Sequence, residues 1–124
     1  MPYNTSLEEN GIYWQFYGFV TFAEIVSSND ELWGSAHKYK MIYQITDLTS
    51  VETLDMRPDQ AVATSFMDKA ASLSQPKMKS AIIATSEECI LLANDYVENL
   101  DTPGWEARIF SELGAAREWI ASTT

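Results

Sequence analysis

Short runs of strand-forming residues alternate along this chain with segments in which apolar residues recur at helical spacing. The most constraining run, residues 79–85, is almost continuously apolar between polar flanks, which is typical of a strand buried on both faces of a parallel sheet. Parallel strands need crossover connections, and these are usually helices. The alternation therefore predicts an α/β fold with helices packed on a mainly parallel sheet.

The predicted order of elements is ββαβαβαβα, with a mostly parallel five-stranded sheet and four helices. An antiparallel hairpin over residues 2–17 begins the chain, because Asn10-Gly11 is a strong signal for a tight hairpin turn. Gly18 is predicted to end the second strand. The last strand is predicted at residues 105–110, and the terminal helix follows.

Other signals predict where the helices begin and which faces they bury. Thr21 and Glu24 form a capping box at the start of the first helix, which Gly34 closes. The second helix is predicted to start near Pro58, and the third is capped by Ser86. The predicted packing stripe of the second helix consists of Val62, Phe66, Ala70 and Leu73.

The central part of the predicted sheet lies in residues 40–57. Residues 41–46 form a strand-like apolar run, residues 47–49 form a predicted turn, and a second apolar run leads to Asp55. In open α/β sheets, ligands and partners usually meet the fold where a central strand ends and a helix begins. This junction is therefore the predicted binding region.

Composition and charge limit the partners. With 124 residues the chain is predicted to form one domain, residues 1–124, with a self-sufficient core. A formal net charge of −10 disfavours nucleic acid and anionic membrane surfaces. Cys89 is the only cysteine, so neither an intrachain disulfide nor a metal or cofactor site is expected. No secretory signal or membrane span is recognisable, which predicts a cytoplasmic location.

The segment that joins the central strand to the second helix resembles the STAS family, whose domains occur in sulfate transporters and anti-sigma-factor antagonists. Residues 47–51 (DLTSV) are similar to the D-L-S-x-V-like segment of that family, and Asp55 matches the aspartate that follows it. The element order resembles a stand-alone, single-domain branch. The resemblance covers essentially the whole chain and implies a STAS-like fold and a bacterial regulatory role.

The chain departs from the STAS pattern where a partner kinase phosphorylates the antagonists. The family carries serine there, at the start of the helix, whereas this chain has Met56, Arg57 and Pro58. The implied phosphorylation switch is therefore not expected at this position. The nearest hydroxyl groups lie upstream, in Thr49, Ser50 and Thr53.

The first predicted function is a non-catalytic regulatory or adaptor module that binds a protein partner. The predicted docking face, at the junction of the third strand and second helix, comprises Asp47, Thr49, Ser50, Asp55, Met56 and Arg57. Arginine and aromatic side chains dominate the energetic centres of protein interfaces, so Arg57 is the predicted anchor.

The alternative function is a binding module for a small apolar or lipid-like ligand held between the helices and the sheet. An aromatic fraction of 12% and five methionines in so short a chain motivate this hypothesis. The same residues could instead fill the core and a homodimer seam. The candidates for a ligand or dimer surface are Tyr13, Tyr17, Trp33 and Trp105.

Catalysis is not expected from this sequence. Adjacent carboxylates such as Glu87 and Glu88 point about 100° apart on a helix, so they do not converge on one substrate atom. The sequence has no glycine-rich phosphate loop and no histidine or cysteine constellation. Its one histidine, His37, is predicted to be a solvated loop residue.

Overall fold

The computed structural model describes residues 2–122, and the elements of this range follow the predicted order. The strands are β1 (Tyr3–Glu8), β2 (Gly11–Thr21), β3 (Tyr43–Asp55), β4 (Met78–Ile83) and β5 (Trp105–Phe110). The helices are α1 (Phe22–Trp33), α2 (Pro58–Ala71), α3 (Glu87–Asn99) and α4 (Leu113–Ala121). A 3-10 helix (Ala36–Lys40) joins α1 to β3.

The five strands lie side by side in chain order, β1-β2-β3-β4-β5. β1 is antiparallel to β2, and the other three pairings are parallel. Right-handed crossovers that advance in one direction place their helices on the same face of a sheet. Accordingly α1, α2 and α3 cover one face, and α4 covers the other. The predicted α/β fold, with its antiparallel N-terminal hairpin, is therefore confirmed.

The sheet separates a larger hydrophobic core under α1, α2 and α3 from a smaller one under α4. β2 alternates as its sequence predicts, and Ile12, Trp14 and Phe16 are at most 3% exposed in the larger core. β4 is apolar on both sides because Ile82 enters the larger core and Ile83 enters the smaller one. The continuous apolar run that constrains the sequence thus follows from burial on both faces.

β2 and β3 are longer than predicted. The predicted turn at residues 47–49 and the predicted strand end at Gly18 are both wrong, because β2 and β3 pair in parallel up to Thr21 and Asp55. Two shifts of register interrupt this pairing, and Gly18 takes a φ of 69° beside the second one. Hydrogen bonding to a neighbouring strand thus overrides the local turn preference of both segments.

The extra length of β2 and β3 projects past the other strands. β4 pairs with β3 only as far as Ile83, opposite Asp47, and β1 pairs with β2 only as far as Phe16. Beyond these points, residues 17–21 and 50–55 form a two-stranded ribbon. This ribbon leads into α1 and towards α2, so it sets where both helices begin.

The face of α2 that packs on the protein differs from the predicted stripe. Ala61, Ser65 and Asp68 are at most 2% exposed. Phe66, by contrast, is 56% exposed, and Leu73, which lies beyond the end of the helix, is 90% exposed. The predicted stripe is wrong because the buried residues of α2 are small or polar, whereas periodicity detects only apolar ones.

Phe66→Ser is expected to change the free energy of unfolding by less than about 0.5 kcal/mol, because surface substitutions rarely do more. Ser65→Val, at the adjacent and fully buried position, is expected to reduce that free energy by roughly 1–2 kcal/mol through overpacking. Urea unfolding of both variants measures the two changes. A larger loss for Phe66→Ser than for Ser65→Val would contradict the observed orientation of α2.

The N-terminal hairpin is present, with Glu8 paired to Gly11 and residues 9–10 as its loop. Neither loop residue has a positive φ. Gly11 is needed for space instead, since a Cβ at this position would overlap the ring of Tyr43. His37 Nε2 donates to the Gly11 carbonyl at 2.9 Å from a half-buried position in the 3-10 helix, so its prediction as a solvated loop residue is wrong.

Candidate functional site

A cavity of about 80 Å³ lies between the sheet and the helices α1, α2 and α3. Its wall is mainly apolar, and β2, β3, β4 and α3 all contribute to it. Apolar side chains of this wall include Trp14, Phe16, Leu54, Ile82 and Leu92. Concave, mostly apolar spaces that contain a few convergent polar groups are the usual form of small-molecule sites.

The polar part of the wall is a hydrogen-bonded set of four residues, Gln44, Asp68, Ser80 and Tyr96, here called the Asp68 cluster. Gln44 Nε2 donates to Asp68 Oδ2 at 3.2 Å and to Ser80 Oγ at 3.1 Å. The Tyr96 hydroxyl donates to Asp68 Oδ2, and its oxygen lies 3.3 Å from Ser80 Oγ. All four residues are buried.

Four different elements bring the Asp68 cluster together. Gln44 and Ser80 are directly paired residues of β3 and β4, on the face that α2 and α3 cover. Asp68 lies on α2, and Tyr96 lies on α3. Burial of polar groups is costly unless hydrogen bonds compensate for lost water. The cluster therefore ties both helices to the centre of the sheet at one point.

Burial makes Asp68 a weaker acid than usual. Loss of water raises the pKa of Asp68 to about 6, although hydrogen bonds from Tyr96 and Gln44 act in the opposite direction. Burial and the nearby Asp68 carboxylate also raise the pKa of Tyr96 well above its ordinary value, so this hydroxyl keeps its proton. Asp68 belongs to neither of the ion pairs found among the described residues. Its charge is stabilised by neutral donors alone.

Two oxygens of the cluster lack hydrogen bonds. Gln44 Oε1 and Asp68 Oδ1 are buried and have no partner among residues 2–122. Unpaired buried acceptors are rare in native proteins, and each one needs an explanation. Both residues line the cavity, but these two oxygens are inaccessible to water and are enclosed by protein atoms.

Asp47, the first residue of the predicted docking face, lies on the opposite side of the sheet from the cavity. Its side chain is buried, and Oδ2 accepts a hydrogen bond from the Tyr13 hydroxyl at 2.5 Å. Oδ1 accepts from the backbone N–H and hydroxyl of Thr49, at 3.0 Å and 2.7 Å. Burial and the Asp47 carboxylate raise the pKa of Tyr13 to about 12. The prediction that Asp47 belongs to a contact surface is therefore wrong.

Tyr13 also belongs to the contacts that hold α4 on the sheet. The Arg117 guanidinium lies over the Tyr13 ring, 5.8 Å from its centroid, and pairs with both carboxylate oxygens of Glu8. Tyr43 donates to the same carboxylate, and Arg117 holds the pKa of Glu8 below its ordinary value. These contacts indicate that Tyr13 has a structural role under α4.

Other residues of the predicted docking face are exposed at separate points along β3 and at the start of α2. Thr49, Ser50, Asp55 and Arg57 are exposed, on β3 and at the start of α2. The Arg57 guanidinium pairs with Asp59 at 3.0 Å, and 70% of each side chain remains exposed. Met56 is half-buried and lines the cavity.

Of the predicted surface aromatics, Trp105 is buried and Trp33 is half-buried. Trp105 is 5% exposed and donates from Nε1 to the Gln75 carbonyl at 2.7 Å, so its prediction as a surface residue is wrong. Trp33 is half-buried and packs on Trp105, with ring centroids 6.2 Å apart. Tyr17, by contrast, is 41% exposed on the ribbon.

Sequence reasoning placed the alternative ligand site between the helices and the sheet, where the cavity lies, but it missed all four members of the Asp68 cluster. Gln44 interrupts an apolar strand run, and a polar residue at the centre of a buried strand is a usable signal. Ser80 belongs to the polar flank of the run in β4 and gives no such signal. Asp68 and Tyr96 carry no such signal, since one lies off the predicted stripe of α2 and the other reads as ordinary helix packing.

Comparisons with known proteins identify the fold. No family model matches the chain, and no curated protein matches it. A similar solved structure is the crystal structure of an uncharacterised protein of the DUF3478 family from Shewanella loihica, with a SpoIIAA-like fold. The match has a TM-score of 0.54 at 17% identity and covers 96% of this chain and 93% of that one. This chain has a SpoIIAA-like fold.

The SpoIIAA-like fold is STAS-like, so the resemblance stated from the sequence is confirmed for the fold. An identity of 17% transfers no residue role from that protein to this one. Within residues 2–122 no group of three or more His, Cys, Asp or Glu side chains could hold a metal ion. No helix in the same range is both long enough and apolar enough to cross a membrane.

Proposed function

We propose that this STAS-like chain is a non-catalytic binding module that holds a small, mainly apolar ligand in the cavity beneath α1, α2 and α3. The supporting observation is a cavity of about 80 Å³ that combines an apolar wall with the convergent Asp68 cluster. At about 30 Å³ for each water, the space takes two or three waters, or a molecule of about three or four heavy atoms, since a cavity of roughly 150 Å³ is needed to hold benzene. A compact ligand fits this volume better than a long-chain lipid.

The energetic consequence of an unused cavity supports the proposal. Protein interiors contain few voids larger than one water molecule. Side chains around an unfilled space lose the packing contacts that a filled interior would give them. Small changes such as Ala93→Leu would fill it. The presence of alanine at positions 61 and 93 of the wall is consistent with space kept for a ligand.

Mass spectrometry under native conditions, compared with the denatured mass, tests ligand binding. We expect extra mass that is lost on denaturation in protein purified without detergent. Ala93→Leu fills the cavity from α3 and is expected to remove this mass, whereas Ala70→Leu, on the exposed side of α2, is expected to retain it. Wild-type protein without extra mass, or an Ala93→Leu variant that retains it, would contradict the proposal.

A second candidate function is protein contact at the junction of β3 and α2. Exposed Thr49, Ser50, Asp55 and Arg57 support it, as does the ribbon, which projects past β1 and β4. Strand edges of this kind can pair with an extended segment of a partner. Leu54 and Met56 line the cavity and adjoin the exposed Asp55 and Arg57, so cavity contents and the shape of the junction are physically connected.

Arg57→Glu is expected to abolish capture of a protein partner in a pull-down, because reversal of an exposed anchoring charge opposes binding without changing the core. Lys77→Glu is the matched control. Lys77 precedes β4 whereas Arg57 follows β3, so these two exposed cations lie at opposite ends of parallel strands. Equal capture by wild type and Arg57→Glu would argue against this docking face.

A further inference from the structure

A second space, a groove of about 370 Å³, lies beside the cavity, between α1 and the C-terminal half of α2. Half-buried Trp33 and Met67 form part of its wall, and exposed Asp30 and Ala70 also line it. Asn29 of α1 lines both the groove and the cavity, and no other described residue lines both. The two spaces are therefore adjacent, and Asn29 lies at their boundary.

The side chain of Asn29 is not held by a hydrogen bond in the described part of the chain. Asn29 is 6% exposed, yet its amide group has no hydrogen-bond partner within residues 2–122. Its amide atoms are not among the buried side-chain atoms that lack both a partner and contact with water. The amide group is therefore accessible to water, and it can turn without the loss of a hydrogen bond within the protein.

The two helices beside the groove are anchored separately. The Tyr3 hydroxyl donates to Glu31 of α1, whereas Asp68 of α2 belongs to the Asp68 cluster. No side-chain hydrogen bond or ion pair joins α1 to α2 within the described residues. α2 packs closely on α3 and only loosely on α1. A local opening between α1 and α2 therefore disrupts less structure than one between α2 and α3.

We infer that the groove between α1 and α2 is the entrance to the cavity and that Asn29 is the residue that closes it. The inference rests on the proposed ligand-binding function and adds the route by which the ligand enters and leaves. When the Asn29 side chain turns away from the boundary, the cavity opens to the groove and the Asp68 cluster stays intact. Side-chain rotation is much faster than local unfolding, so the cavity exchanges its contents while the protein remains folded.

A residue that closes an entrance controls rates rather than affinity. Its removal lowers the same barrier for entry and for exit, so both rates rise by the same factor and their ratio, the dissociation constant, is unchanged. A residue that contacts the ligand behaves differently, because its removal changes mainly the rate of exit and therefore the dissociation constant. Kinetics thus distinguish the two roles for Asn29.

Xenon exchange, measured by NMR saturation transfer, tests the entrance, because xenon is a single apolar atom that binds in apolar cavities. Refolding of the full chain from urea first releases any native ligand. In Asn29→Ala we expect the rates of xenon entry and exit to rise at least tenfold, with a dissociation constant within about threefold of wild type. Asn94→Ala, at an exposed position of α3, is the matched control and should leave both rates unchanged.

A narrower groove should have the opposite effect. Ala70 lines the groove and does not line the cavity, so Ala70→Leu is expected to slow xenon entry and exit at least threefold without changing the dissociation constant. The native ligand is expected to remain bound in the same variant. The two variants are independent, so failure of one to fold leaves the other as a test. Unchanged rates in folded Asn29→Ala or in folded Ala70→Leu would overturn the inference.

The other results separate this entrance from its alternatives. Met56 is a half-buried residue of the cavity wall at the β3–α2 junction. Faster exchange in Met56→Ala but not in Asn29→Ala would place the entrance at that junction and overturn the inference. Weaker binding with an unchanged rate of entry in Asn29→Ala would make Asn29 a ligand contact, and an absence of xenon binding to wild type would also contradict the entrance.

Failure of the proposed function gives a different result. Faster xenon exchange in Asn29→Ala, together with an absence of native ligand mass in wild type, would support the entrance and contradict only the proposed ligand-binding function. Native ligand mass together with unchanged xenon exchange in Asn29→Ala would support ligand binding and contradict only the entrance.

Discussion

Asp68→Asn is expected to make the protein more stable at neutral pH, although Asp68 is almost completely buried. Burial raises the pKa of Asp68 to about 6 in the folded protein. In the unfolded chain the same carboxyl group regains water and titrates near its ordinary value of 3.8. Between these two pKa values the folded protein therefore binds more protons than the unfolded chain.

The sign of the pH dependence follows from this difference. Because the unfolded chain releases its proton first, the free energy of unfolding falls as pH rises from about 4 to about 6, and it is level above both pKa values. A pKa difference of about 2 amounts to roughly 3 kcal/mol in total, of which roughly 2 kcal/mol is lost between pH 4 and pH 7. Asparagine does not titrate, so the variant avoids this loss.

Asparagine also preserves the hydrogen bonds that the carboxylate accepts. Its carbonyl oxygen can take the place of Asp68 Oδ2 and accept from Gln44 and Tyr96. Its amide group then occupies the position of the unpaired Oδ1, so one unpaired buried group replaces another. The structural cost of the substitution is therefore small beside the electrostatic gain.

Urea unfolding of wild type and Asp68→Asn across this pH range measures the effect. We expect the advantage of the variant to grow by roughly 2 kcal/mol from pH 4 to pH 7. The difference between the two proteins isolates Asp68, since other carboxylates, including Glu8 with its lowered pKa, contribute equally to both. A difference that stays constant with pH would show that Asp68 does not titrate in this range.

A carboxylate that destabilises the folded protein implies a function for its charge. Natural sequences keep strained or poorly solvated groups mainly where binding or catalysis uses them. Asp68 fits this pattern because it is a residue of the cavity wall and one of its oxygens lacks a partner among the described residues. Loss of the ligand mass in Asp68→Asn together with a gain in stability would connect the two properties in one residue.

The fold could be predicted because it depends on periodicity and on handedness. The alternation in β2 indicates burial of one face, and the apolar run in β4 indicates burial of both faces. The order of elements then allows few topologies. Local sequence signals predicted the wrong strand ends where pairing with a distant strand determines how far a strand extends. Gly18 and residues 47–49 look like turns in isolation, yet β2 and β3 pair through both.

The polar wall of the cavity could not be predicted because it depends on which face of α2 is buried. Apolar periodicity assigned that face to Phe66, whereas the protein buries Ser65 and Asp68. The buried face of α2 is stabilised by hydrogen bonds from Gln44 of β3 and Tyr96 of α3 to Asp68, and no local sequence pattern predicts these contacts. The exposed part of the β3–α2 junction, including Arg57, does lie at the surface, and its role in docking stays a prediction.

Tyr96→Phe is expected to reduce the free energy of unfolding by about 2–3 kcal/mol at pH 7, because it removes a hydrogen bond to a buried charge. Phenylalanine keeps the ring packing, so the loss reports the hydroxyl. Asp68 Oδ2 would then retain only the Gln44 donor, and Ser80 Oγ would lose its neighbour at 3.3 Å. With less stabilisation of its charge, the pKa of Asp68 rises further, and the stability loss extends to higher pH.

The same substitution in the Asp68→Asn background separates charge from packing. There the Tyr96 hydroxyl donates to a neutral amide oxygen, so its removal is expected to reduce stability by only about 1 kcal/mol. The double-mutant cycle at pH 7 should therefore give a coupling energy of about 1–2 kcal/mol between the two positions. Near pH 4 the coupling should shrink, because Asp68 is then protonated in the folded protein. Equal losses in both backgrounds at pH 7 would mean that Tyr96 acts through packing alone, and the buried charge would need another source of stabilisation.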